Sequence, residues 1–84
     1  MTCANIKVML QDGLNHPIAP LFVNKANEFS CRVTLSSQGY TLNAKSLLGV
    51  LSLGVGQNEE ITLTADGPGE DVAVATLAEF LQRS

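Results

Sequence analysis

The feature that most constrains this chain is a period of two in its apolar residues. The segments CRVTLS, residues 31–36, and ITLTA, residues 61–65, alternate apolar and polar side chains. Successive residues of a β-strand point to opposite faces, so each segment predicts a strand with one apolar face and one polar face. Such strands are typical of an antiparallel sheet that is covered on one side. The residues predicted to face the covered side are Cys31, Val33, Leu35, Ile61, Leu63 and Ala65.

Two further strands and three helices complete the predicted order. NIKVML, residues 5–10, predicts the first strand, and GYTLN, residues 39–43, predicts the return arm of a hairpin whose turn uses Gly39. Three segments with helical periodicity must cover the sheet. The first has an apolar stripe of Phe22, Ala26 and Phe29, and the second is the strongly apolar segment from Ser46 to Gly54. The stripe of the third is Ala73, Leu77, Phe80 and Leu81. The order is β-α-β-β-α-β-α, which is an α+β fold.

The ends of two helices carry recognisable signals. Ser46 is a good N-cap residue for the central helix, and Gly54 is a plausible C-terminal stop. Glu70 and Asp71 begin the last helix and Arg83 ends it, in agreement with the helix dipole.

Size and charge narrow the class of protein. A chain of 84 residues with 45% hydrophobic content predicts one domain spanning residues 1–84. The formal net charge is −3 and the five Lys and Arg residues are scattered, so we expect no direct binding of nucleic acid. No apolar run approaches the roughly 20 residues that cross a bilayer, so we expect no membrane insertion.

The reactive side chains form no catalytic or metal-binding pattern. Two cysteines and one histidine lack metal-ligand spacing, and neither a phosphate-cradling glycine loop nor a Ser/His/Asp arrangement is present. Cys3 and Cys31 are not a paired motif and no secretory leader precedes them, which indicates a reducing, cytoplasmic setting. We expect a protein without cofactor or metal that is not an enzyme.

Three stretches of the chain resemble the HPr family, the small phosphocarriers of the phosphoenolpyruvate-dependent sugar phosphotransferase system. NAKSLLGVLSLGVGQNEEITLTADG, residues 43–67, is similar to the regulatory-serine region, and LFVNKANEFSCRVTL, residues 21–35, is similar to the first helix and second strand. The third, GLNHPIA at residues 13–19, matches in part. The resemblance implies an open-faced β-sandwich: a four-stranded antiparallel sheet with three helices on one face.

The partial match concerns the phosphoacceptor site. The family pattern Gly-Leu-His-Ala-Arg-Pro-Ala has its phosphoacceptor histidine where this chain has Asn15, and its arginine where this chain has Pro17. An amide nitrogen has no usable lone pair, so Asn15 cannot carry phosphate as histidine does. His16 lies one residue later, which turns its side chain by about 100° on a helix. His16 is then a solvated loop residue, a displaced phosphoacceptor or a residue with some other contact.

The prolines of this stretch bear on where the first helix begins. Residues before proline avoid the helical region, which disfavours helix at His16 and Ala19. Pro20 suits the first turn, where no N–H donor is needed. We expect the helix to begin near Pro20, later than in the family, with residues 15–19 extended or turn-like.

The resemblance also assigns a regulatory role to Ser46, the serine phosphorylated by the ATP-dependent HPr kinase/phosphorylase. Without that role, Ser46 is a plain N-cap that stabilises its helix by roughly 1 kcal/mol. A phosphate here adds about −1.5 to −2 charge at a helix N-terminus, where the dipole favours anions. Phosphorylation then acts as a surface signal without large refolding.

The central helix has more apolar residues than it can hide. Leu47, Leu48 and Leu51 match the family's docking surface, and we expect Leu47 and Leu48 to be exposed while Val50 and Leu51 are partly or wholly buried. Asn15, His16 and Pro20 are further candidates for partner binding. Cys3 and Cys31 are expected to be buried or semi-buried thiols, and the family's strand order separates them.

The resemblance leaves three functions open. The first is a regulatory protein similar to the catabolite-repression paralogue of HPr, which also lacks the acceptor histidine; it is phosphorylated at Ser46 and docks on a LacI-type regulator or an enzyme. The second is a working phosphocarrier that uses His16 with enzyme I and sugar permease subunits. The third is a diverged adaptor with neither phosphorylation.

Overall fold

The computed structural model describes residues 1–10, 18–37, 39–54 and 56–82. Its elements follow the predicted order: strand β1, helix α1, strands β2 and β3, helix α2, strand β4 and helix α3. Their bounds are β1 Thr2–Lys7, α1 Ala19–Asn27, β2 Arg32–Ser37, β3 Tyr40–Asn43, α2 Leu47–Leu53, β4 Glu60–Asp66 and α3 Glu70–Gln82.

The four strands form one sheet in the order β1-β4-β2-β3, and each pair of neighbours is antiparallel. In the register, Leu63 of β4 lies opposite Ala4 of β1 and Leu35 of β2. β4 therefore runs through the centre of the sheet, and β1 and β3 are its edges. As expected, β4 separates β1 from β2, and both cysteines are free.

The core lies between the helices and one face of the sheet, as the alternation predicts. The inward residues of β2 and β4 are all buried, and Thr34, Thr62 and Thr64 on the opposite face remain partly exposed. α3 packs against β1 and β4, and α1 contacts both other helices. The helical residues that complete the core are Ala19, Phe22, Val23, Ala26, Val50, Ala73, Val74, Leu77 and Leu81. Phe29 and Phe80 are half-buried against it.

The first strand lies nearer the N-terminus than the predicted segment, residues 5–10. β1 begins at Thr2 and ends at Lys7, before Val8. Val8 is nevertheless fully buried, and its backbone exchanges hydrogen bonds with Glu59 O at 2.9 Å and Asn58 N at 2.7 Å. The local pairing thus continues past the end of the regular strand.

The prediction that Cys3 is buried or semi-buried was wrong. Cys3 is exposed, whereas Cys31 is buried. The reason is register: Cys3 lies opposite Thr64 on the uncovered face of the sheet, and Thr64 Oγ1 lies 3.5 Å from its sulfur.

Helix α1 begins close to the predicted residue, but Ala19 is helical, contrary to our expectation. The carbonyl of Ile18 accepts hydrogen bonds from Leu21 N at 3.0 Å and Phe22 N at 3.1 Å, which closes the first turn. Pro20 occupies the second position of the helix, where a backbone N–H is not needed. Ala19 is fully buried, so packing offsets the steric preference of a residue before proline.

Candidate functional site

Ser46 caps the N-terminus of α2, as the sequence predicts. Its backbone is extended, with φ −104° and ψ 117°, and its side-chain oxygen accepts a hydrogen bond from Gly49 N at 3.3 Å. The Ser46 carbonyl accepts from Val50 N at 3.0 Å, which is the first bond of the helix. Ser46 is half-buried, and a hydroxyl oxygen that accepts one hydrogen bond still carries an O–H that can donate another.

The segment that leads from β3 into α2 is held by short-range hydrogen bonds. Asn43 Oδ1 accepts from Lys45 N at 2.9 Å, and Asn43 O accepts from Ser46 N at 3.1 Å. Ala44, between them, is fully buried and its N–H donates to Val33 O at 2.9 Å. These contacts fix the backbone immediately before Ser46.

The end of α2 also agrees with the sequence. Gly54 follows the last helical residue in the left-handed conformation, with φ 63° and ψ 37°. That region costs a side chain energy, and glycine has no Cβ to suffer from it. α2 therefore spans the seven residues Leu47–Leu53 between its two caps. Inside it, Ser52 Oγ donates to Leu48 O at 2.7 Å.

The leucines of α2 divide between core and surface as predicted. Leu48 is 77% exposed and Leu47 is 40% exposed, whereas Val50 is fully buried. Leu51 is half-buried and packs against the core. An apolar surface therefore adjoins the Ser46 hydroxyl along the first turn of α2.

Helix α1 adds an exposed leucine that the sequence reasoning missed. Leu21 is 56% exposed and lies on α1, which contacts α2. The signal was available, because Leu21 precedes Phe22 by one residue and so points about 100° away from the buried stripe of Phe22 and Ala26. Pro20, a predicted partner-binding residue, is half-buried at the start of the same helix. The other two, Asn15 and His16, lie outside the described residues.

Within the described ranges, the titratable side chains assemble no metal centre. No group of three or more His, Cys, Asp or Glu residues there has the geometry to hold an ion. Among the residues that the structure describes, no helix is long and apolar enough to cross a bilayer.

The comparisons with known proteins bear on this site. Residues 3–83 match the family model described as the PTS HPr component phosphorylation site. This chain belongs to the HPr family. It is 40% identical to the HPr-like protein Crh of Bacillus subtilis, over 98% of this chain and 96% of that protein. It is 42% identical to the phosphocarrier protein HPr of Buchnera aphidicola, over 92% of this chain and 91% of that protein.

Solved structures of the family have the same architecture. HPr from Bacillus anthracis superimposes with a TM-score of 0.95 at 36% identity, covering 96% of both chains. Crh of Bacillus subtilis, described as a catabolite repression protein that forms a domain-swapped dimer, gives a TM-score of 0.79 at 40% identity, covering 98% of this chain and 94% of that one. The predicted HPr-like open-faced sandwich is thereby confirmed. The names of these relatives describe phosphocarrier and catabolite-repression proteins, not catalysts.

Proposed function

We propose that this HPr-like chain is a regulatory protein of cytoplasmic carbon metabolism that is phosphorylated on Ser46 and then docks on its partner through α2. The observation that carries the proposal is the juxtaposition at the start of that helix. The half-buried Ser46 hydroxyl caps α2, and Leu47 and Leu48, both exposed, follow it directly. A partner can therefore read a new charge and an apolar contact on one surface.

The phosphorylation is a transfer of the γ-phosphoryl group of ATP to Ser46 Oγ, with ADP as leaving group and loss of the hydroxyl proton. The kinase supplies the catalytic groups, and this chain supplies the positioned hydroxyl. The caps at Ser46 and Gly54 hold α2 at both ends, so phosphorylation requires no refolding of the helix. By family resemblance the kinase is an HPr kinase/phosphorylase, and the docking partner is a catabolite regulator of the LacI type.

A phosphohistidine role is the alternative, and Asn15 argues against it. Its amide occupies the position of the family's phosphoacceptor histidine and is not a nucleophile near neutral pH. A working carrier would need His16 in its place, with enzyme I as the phosphoryl donor and sugar permease subunits as acceptors. The similarity to the Buchnera phosphocarrier keeps this alternative worth testing.

Two labelling reactions separate the candidates. We expect ATP and an HPr kinase/phosphorylase to add one phosphoryl group to the chain, stable in acid and absent from Ser46→Ala. We expect phosphoenolpyruvate and enzyme I to add none. Intact-mass spectrometry followed by peptide mapping checks both outcomes. Acid-labile phosphate that disappears in His16→Ala would overturn the proposal in favour of the carrier, and no labelling in either reaction would favour an adaptor without phosphorylation.

A further inference from the structure

The residue before Ser46 joins the two helices of the candidate docking surface. Lys45 Nζ donates to Phe29 O at 2.6 Å, and Phe29 lies two residues beyond the end of α1. Both residues are half-buried. A charge-assisted hydrogen bond of this kind is stronger than one between neutral groups, particularly where water is partly excluded.

A second contact fixes the backbone of Lys45 to the same end of α1. Asn27 Nδ2 lies 2.9 Å from Val23 O within α1 and 3.2 Å from Lys45 O across the junction. Asn43 Oδ1 receives the N–H of Lys45 from the other side. The backbone N–H, the carbonyl and the ammonium of Lys45 are therefore all hydrogen-bonded. The contacts of the carbonyl and the ammonium are made to the end of α1.

The other cationic side chains of the described residues lie elsewhere. Lys7 and Arg32 lie on the uncovered face of the sheet, where their partners in the register are Glu60 and Asp66. Lys25 is 42% exposed and lies 4.0 Å from Glu28 on α1. Within the described ranges, Lys45 is the cation adjacent to Ser46 in the chain and the one bonded across the junction of the helices.

We propose that Lys45 is a positioning residue that couples the charge on Ser46 to the end of α1. The Lys45 ammonium is a compact charge on a flexible stem, so an anion on the neighbouring Ser46 draws it by Coulomb attraction and competes with the Phe29 carbonyl for it. The Lys45–Phe29 hydrogen bond then weakens and the end of α1 relaxes. This inference rests on the proposed function for its biological setting, in which a kinase places the charge on Ser46. The coupling itself requires only that Ser46 carries a negative charge, whatever its source.

The consequence concerns what a partner recognises. Glu28 and Ser30, beside Phe29 at the C-terminal end of α1, are exposed, and so are Leu47 and Leu48 at the start of α2. If Lys45 transmits the charge of Ser46 to α1, both helices differ between the two states of the protein. A partner then discriminates the states through contacts to α1 that do not touch the phosphate.

The test uses the ¹H–¹⁵N spectrum of the full chain with aspartate as the anion at position 46. The backbone amide of Ser30 reports on the Lys45–Phe29 hydrogen bond, because the Ser30 nitrogen is in the same peptide group as the Phe29 carbonyl that accepts this hydrogen bond. We expect Ser46→Asp to move the Ser30 resonance in the direction in which Lys45→Met moves it. We expect that response to be lost when Ser46→Asp is introduced into the Lys45→Met chain.

Two matched variants separate coupling from general disturbance. Lys45→Arg keeps a cation at the junction and should retain the Ser30 response, and Lys25→Met removes a cation from α1 and should leave the response unchanged. A Ser30 resonance that ignores Ser46→Asp in the unsubstituted chain would overturn the proposal, as would an equal response in the Lys45→Met chain. If Lys45→Met lowers the melting temperature below the working range, the comparison is made with Lys45→Gln.

The outcome is independent of the kinase experiment. Labelling of Ser46 without any Ser30 response would leave the proposed function standing and the coupling refuted. A Ser30 response in a chain that no kinase labels would support the coupling and refute the proposed function.

Discussion

Glu70 is the residue at which the start of β1 meets the start of α3. Its Oε2 atom lies 2.8 Å from the Met1 ammonium and 2.5 Å from Thr2 Oγ1, and its Oε1 atom accepts from Gly67 N at 3.3 Å. The pKa of Glu70 is lowered from 4.5 to about 2. The hydrogen bond from the Met1 ammonium is the largest cause, and the hydrogen bonds from Thr2 and Gly67 add to it. Because the folded-state pKa is depressed, the carboxylate stabilises the fold above about pH 4.5, and this contribution is lost as the pH falls toward 2.

Glu70→Gln should therefore lower the melting temperature at neutral pH, and its difference from the unsubstituted chain should shrink as the pH falls from about 4.5 toward 2. Added salt should reduce the difference at neutral pH, because the carboxylate is accessible to solvent. Thermal unfolding at a series of pH values checks this. Glu60→Gln, on the uncovered face of the sheet, is the matched control. A difference that stays constant down to the acid end of the series would contradict the assignment.

Single residues also show where sequence reasoning failed. The large apolar residues of the first strand begin at Ile6, so the pattern did not locate its start, and Cys3 was expected to be buried or semi-buried although it is exposed. The helical state of Ala19 depends on burial that no local rule contains. In both cases tertiary contacts decided the outcome. The predicted roles of Asn15 and His16 lie outside the described residues and remain predictions.

At the scale of elements, α2 was predictable because its two ends carry their own signals. Ser46 accepts the hydrogen bond of an N-cap, and Gly54 adopts the left-handed conformation of a C-terminal stop. Between them the helix has too few turns to bury every leucine, and the structure exposes Leu47 and Leu48 as predicted. Helical periodicity does not predict what these exposed leucines bind. Their assignment to a docking surface came from the family resemblance.

The exposed face of α2 makes a prediction about binding. Leu48→Ser should leave the free energy of unfolding within about 0.5 kcal/mol, because the side chain is largely in solvent. In the Ser46-phosphorylated chain it should weaken binding to a LacI-type regulator about tenfold or more, since burying a leucine contributes about 1.5–3 kcal/mol. Calorimetric titration measures the affinity. Val72→Ser removes an apolar side chain of similar exposure from α3 and should bind normally; an equal loss in both variants would refute docking through α2.

At the scale of the whole molecule, the covered and uncovered faces of the sheet follow from alternation, but the order of the strands does not. The period of two identifies which side chains of β2 and β4 are buried, and the structure confirms each of them. It contains no information on which strands are neighbours, and the separation of β1 from β2 by β4 was expected from the family alone. Neighbour order depends on contacts far apart in sequence, such as those that join β1 to β4.

The central position of β4 gives the sharpest test of this architecture. Leu63 is fully buried and lies between Ala4 and Leu35 in the register, so Leu63→Ala should lower the free energy of unfolding by about 2–5 kcal/mol through lost burial and a residual cavity. The total free energy of unfolding of a native protein is about 5–15 kcal/mol, so the urea concentration at the unfolding midpoint should be much lower in Leu63→Ala. Thr64→Ala, the next residue on the uncovered face, should cost about 1 kcal/mol or less. Equal costs at the two positions would mean that both faces of β4 are covered, contrary to the packing of helices on one face of the sheet.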